Sequence, residues 1–129
     1  MNRLLPLFLI PVAAAVAEEH HHGAGVELGE VELLGVRIEV EASGAFTPGG
    51  EVHVDLALQP ATAALKAVRA WVGPERGRVA KSGITGSGGA LHGHVDVPRP
   101  LPEGSALWIE VESTAGSATR ASLPLPAAK

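Results

Sequence analysis

Glu51-Val52-His53-Val54-Asp55-Leu56-Ala57-Leu58 is the stretch that decides the fold. Apolar side chains fall at Val52, Val54, Leu56 and Leu58, every second residue, with Glu51, His53 and Asp55 between them. A helix would repeat its apolar face every three or four residues. A period of two gives a strand with one face in a core and the other in water. The same beat runs outward in both directions. It is found at Val31 and Leu33, at Val36, Ile38 and Val40, and at Val68, Ala70 and Val72. It returns at Leu91, Val95 and Val97 and at Leu107, Ile109 and Val111, then ends weakly at Ala121 and Leu123.

Turn-forming residues separate these runs: Thr47-Pro48-Gly49-Gly50, Gly73-Pro74, Gly86-Ser87-Gly88-Gly89, Pro98 to Gly104, and Gly116. Glycine and proline supply turn geometries that a strand interior resists. Seven or eight short strands spaced this way predict an all-β fold, an immunoglobulin-like antiparallel β-sandwich over residues 26–129, with an open or closed antiparallel barrel as the alternative. In the sandwich, Glu51–Leu58 pairs with Ala90–Val97 in one sheet, and Ala67–Val72 pairs with Ala106–Glu112 in the other. A further strand is expected over Arg78–Ile84. Ala61 to Ala70 has helix-forming composition, but Pro60 and Gly73 leave room for only a short helix.

Two of these punctuated stretches carry a resemblance. Thr47-Pro48-Gly49-Gly50 before a strand, and Leu101-Pro102-Glu103-Gly104-Ser105-Ala106-Leu107-Trp108-Ile109-Glu110-Val111 before a Gly-containing turn, resemble small exported Ig-like bacterial domains of the YtkA-like family. The resemblance spans Gly35 to Leu125. It implies a fold and no activity.

The start of the chain bears on compartment. Arg3 precedes an apolar run from Leu4 to Val16, and Ala15-Val16-Ala17 is a small-x-small cleavage site. Residues 1–17 are therefore expected to be a signal peptide and residues 18–25 a mobile His-rich tail, which places the protein in the periplasm or outside the cell. The apolar run is too short to span a bilayer and is broken by Pro6 and Pro11, and no later stretch is apolar enough to cross. The chain has no cysteine, so disulfides and thiolate chemistry are excluded, and any metal ligand must be nitrogen or oxygen. With a formal net charge of −4 and no Lys/Arg cluster, a nucleic-acid partner is not expected.

Two sets of histidines are candidate ligands. In Leu91-His92-Gly93-His94-Val95-Asp96-Val97, inward Leu91, Val95 and Val97 leave His92, His94 and Asp96 on the outer face. On the neighbouring strand His53 and Asp55 point the same way, within cross-strand reach. Two imidazoles at i and i+2 with a third from the next strand can hold Cu(II) or Zn(II), with Asp55 and Asp96 as ligands or as acceptors that fix the ring tautomers. The alternative is a solvated polar face that includes histidine. The tail supplies the second set, His20, His21 and His22. If cleavage follows Ala17, His20 takes the third position, where an amine, two deprotonated amides and an imidazole wrap Cu(II) or Ni(II) in a square plane.

The opposite sheet suggests a different use. Inward Val68, Ala70 and Val72, and inward Leu107, Ile109 and Val111, leave Arg69, Trp71, Trp108 and Glu110 outside. An exposed tryptophan pair there would suit an unidentified exported protein partner or a second copy. An Ig-like domain often buries a tryptophan at the position of Trp71, which is the competing reading. No nucleophile–base pair and no phosphate loop is present in the sequence, so a non-enzymatic binding domain is expected. It would capture a divalent metal ion or, alternatively, serve as a protein-interaction or structural module.

Overall fold

The structure is a computed structural model that describes residues 25–126. The expected signal peptide and the histidines His20, His21 and His22 lie outside the described residues. Nine strands follow in order: β1 (Val26–Leu33), β2 (Val36–Ser43), β3 (Glu51–Gln59), β4 (Leu65–Gly73), β5 (Ser82–Gly83), β6 (Thr85–Ser87), β7 (Ala90–Asp96), β8 (Ala106–Ser113) and β9 (Ala118–Leu123). They form two antiparallel sheets, a five-stranded one in the order β1-β2-β3-β7-β6 and a four-stranded one in the order β5-β4-β8-β9. The architecture is all-β and consistent with a β-sandwich, with no helix among the described residues.

The period-two residues account for the core. Val36, Ile38, Val40 and Ala42 of β2, and Val52, Val54, Leu56 and Leu58 of β3, are buried against Val68, Ala70 and Val72 of β4 and Leu107, Ile109 and Val111 of β8. Each fully buried Val, Leu or Ile contributes about 1.5–3 kcal/mol relative to exposure. A one-residue slip in any strand would turn that whole set outward, so burial fixes the register. The resulting pairings are β3 with β7 and β4 with β8, both antiparallel.

Two local expectations are corrected. Ala61 to Ala70 contains no helix: a turn follows Pro60 and β4 begins at Leu65. Helix propensity in that segment is worth only tenths of a kcal/mol per residue, less than burying Val68, Ala70 and Val72 against β8. Arg78–Ile84 is not one strand either. Ser82–Gly83 pairs with β4 in the four-stranded sheet, and Thr85–Ser87 pairs with β7 in the other. Between them Ile84 is buried in the core, and its N–H donates to the Val68 carbonyl at 2.9 Å. The chain thus crosses from one sheet to the other at this residue. Gly93 makes room for the crossing, because a Cβ there would lie 2.8 Å from Ile84 Cδ1 and 3.0 Å from the Gly83 carbonyl oxygen.

Candidate functional site

The β3–β7 pairing sets the histidines out in rows. His53 stands opposite His94, and Asp55 opposite His92. All four side chains project from the outer face of the five-stranded sheet, since their neighbours Val52, Val54 and Val95 are buried and Leu91 is partly buried. The His53 and His94 rings meet edge to face with centroids 4.9 Å apart, and His53 Nδ1 lies 3.4 Å from His94 Nε2. His92 stacks beside His53 with centroids 5.8 Å apart. His53 Nε2 lies 3.2 Å from Asp55 Oδ1. Asp96 is farther along the strand pair, opposite Glu51.

These contacts define a tautomer. An ionised Asp55 can only accept, so it takes the proton of His53 Nε2, and in the neutral ring Nδ1 then keeps its lone pair and accepts from His94 Nε2–H. A carboxylate gripping the far nitrogen of an imidazole is the arrangement that orients metal-binding histidines. Two nitrogens bound tetrahedrally at about 2.0–2.1 Å lie about 3.3–3.4 Å apart. The His53–His94 separation matches that value. The third ring is not brought to the same point: among the described residues no three His, Asp or Glu side chains close into a metal-holding group. The sheet therefore offers a close pair of nitrogens with His92 alongside and solvent above.

Charge on this sheet is strongly one-sided. Its strands carry Glu27, Glu30, Glu32, Glu39, Glu41, Glu51, Asp55 and Asp96 against one cationic side chain, Arg37, which lies 3.6 Å from Glu30. Glu41 stands opposite Asp55 across the β2–β3 pair, so carboxylates border the imidazoles. A negative field of this kind raises the local concentration of cations.

The other outer face is built differently. Trp71 faces Trp108 across the β4–β8 pair, their rings nearly parallel at 11° with centroids 6.1 Å apart. The alternation places both on the outer side, as the sequence suggests, but the face is not open. The segment between β4 and β5 folds over it: Trp71 is 2 % exposed, and its Nε1–H donates to the Pro74 carbonyl at 2.9 Å. Lys81 sits 4.8 Å and Arg120 5.8 Å from the centre of the Trp71 ring. Trp108 is half-buried, and its Nε1–H has no partner.

Glu110 is buried as well, at 4 % exposure. It accepts from Arg69 Nη1 and from Lys81 Nζ, each at 3.1 Å, with Arg120 Nη2 at 3.6 Å. Arg69 Nη2 donates to Glu112 at 2.9 Å. That hydrogen bond holds the Glu112 carboxyl below the usual carboxylate range, and in return Glu112 raises the Arg69 guanidinium. Of the residues expected to form an open partner surface, Trp71 and Glu110 are therefore covered, and Arg69 is occupied by ion pairs.

No protein family, curated protein or solved structure matches this chain. The candidate site therefore rests on its own geometry. Sequence reading found the histidines but not the role of residues 74–81, whose cover over Trp71 follows no period. A signal was available: Gly73-Pro74 and Gly77 allow a tight return, and Lys81 supplies a cation for the acidic residue on the opposite strand.

Proposed function

We propose that this protein is an exported, non-enzymatic binding domain of immunoglobulin-like type that captures divalent copper or zinc on the outer face of its five-stranded sheet. His53 Nδ1 and His94 Nε2 are the first two ligands, Asp55 holds the His53 ring, and His92 stands ready as a third donor. The observation that carries this reading is the 3.4 Å separation of the two ring nitrogens, combined with the Asp55 contact that turns the His53 Nδ1 lone pair toward His94, where a cation would take the place of the shared proton. The acidic strands around the patch favour a cation over an anion. The strand order β2-β3-β7 opposite β4-β8-β9 supports the immunoglobulin-like assignment.

Titration of the full chain with Zn(II) and Cu(II) tests the proposal. Binding is expected at micromolar Kd or tighter. Replacing His53, His92 and His94 together by alanine should weaken it at least about 10-fold, and Asp55→Asn alone about 10-fold, the usual cost of losing a carboxylate that orients a ligand. Equal uptake by the triple variant would overturn the sheet site.

A further inference from the structure

Away from the histidine face, the crossing at Ile84 opens a groove on the flank of the molecule. β5 pairs with β4 only at Arg69 and Ala70, so the start of β4, from Leu65 to Ala67, has no strand on that side among the described residues. β6 belongs to the other sheet and pairs with β7 there. Between β4 and the β6–β7 turn lies a groove of about 410 Å³, within the size range of small-molecule sites. Leu58, Val68 and Ile84 reach it from the core, and half-buried Leu65 and Leu91 complete its apolar lining.

The charged residues that line this groove, Lys66 and Arg69, are both cations, in a chain whose formal net charge is −4. They differ in what holds them. Arg69 donates to Glu110 at 3.1 Å and to Glu112 at 2.9 Å, and is committed there. Lys66 stands 3.7 Å from Glu112, which already accepts from Arg69, and its side chain is 64 % exposed. A lysine of this kind lays its methylenes along apolar surface and keeps its ammonium in water, where it can take a second anion.

We propose that this groove binds a free, unbranched alkyl carboxylate of medium length, its chain lying along Leu58, Leu65, Ile84 and Leu91 and its carboxylate paired with the Lys66 ammonium. Both parts of the ligand contribute. An inorganic anion would gain only one solvent-exposed ion pair, which is worth little in water. A neutral alkane would leave the ammonium unused. A peptide strand finds little to pair with, because β5 has two residues and β6 three. The site is independent of the imidazole patch, which lies on the outer face of the five-stranded sheet.

Methyl-resolved NMR titration of the full chain with sodium decanoate, kept below its micelle-forming concentration, tests this beside two probes of the same chain length, neutral 1-decanol and cationic decyltrimethylammonium. Saturable shifts are expected at the methyl groups of Leu58, Leu65, Ile84 and Leu91. Decanoate should bind tightest and the cation weakest, although the net negative charge of the protein favours the opposite order. Shortening the chain to octanoate should weaken binding by up to about four-fold for each methylene removed. Lys66→Glu should weaken decanoate about five-fold and leave decanol within about two-fold. Leu65→Asp, with circular dichroism confirming that the variant is folded, should weaken decanoate and decanol alike. Cation binding as tight as that of decanoate, or decanoate affinity unchanged in Lys66→Glu, would overturn the pairing with an anion. Shifts confined to other parts of the molecule, or none up to about 1 mM decanoate, would overturn the groove as a site.

Discussion

The two outer faces of this molecule begin from the same alternating pattern and end in opposite conditions. On the five-stranded sheet, polar side chains at the outward positions stay open to solvent, and His53, His92 and His94 stand among carboxylates that outnumber the sheet's one cation, Arg37. On the four-stranded sheet, the outward positions hold Trp71, Trp108, Arg69 and Glu110, and the chain folds back over them. The first face keeps its charge available and the second neutralises it internally. An outward position in a strand is thus only an address. Whether it is a surface depends on which segments return across it.

Three substitutions probe that contrast, beginning with the largest effect. Trp71→Ala should behave as a core truncation in spite of its outward phase and lower unfolding free energy by about 3–5 kcal/mol in urea titration. His53→Ala, on the open face, should change it by no more than about 0.5 kcal/mol. Similar values for the two would mean that the cover over Trp71 does not persist in solution.

Glu110→Ala comes next. It leaves Arg69, Lys81 and Arg120 facing one another without their shared carboxylate, a loss of about 1–2 kcal/mol after allowing for the solvent that still reaches these cations. Lys81→Ala should give a smaller loss and make the segment at residues 74–81 more susceptible to proteolysis, since it frees one of that segment's anchors.

The smallest effect is one of pH. The Glu112 carboxyl is held below its ordinary range by Arg69, so the folded state binds this proton less readily than the unfolded chain. Its stabilisation is complete above the usual carboxylate pKa of about 4.3 and drains away as pH falls through the lowered value. Thermal melts of parent and Glu112→Gln should therefore differ near neutrality and converge in acid. A gap that widened on acidification would contradict the Arg69–Glu112 pairing.

How much of this was legible in the sequence depends on whether the feature repeats. The β3–β7 and β4–β8 pairings are expected from the sandwich topology and are present, while the strands and the outward phase of the histidines follow from period-two burial, because each strand has one phase that hides its apolar set. The cover over Trp71 and the crossing at Ile84 do not, since both are made by irregular chain whose placement depends on partners distant in sequence. Gly93 shows where more could have been read. A glycine in the inward series Leu91, Gly93, Val95 leaves a gap in the core, and that gap is filled by the crossing segment. For the imidazoles, alternation gave the common face, while the close approach of only two rings came from register and side-chain rotation.

The crossing at Ile84 also bears on how copies of this protein behave when crowded. Because the chain divides its passage between the two sheets, the borders on that side end in β5, of two residues, and β6, of three. A foreign strand needs a longer free ladder of amides and carbonyls to template upon. These stunted borders deny it one, so a rise in concentration should leave the molecule dispersed from that flank.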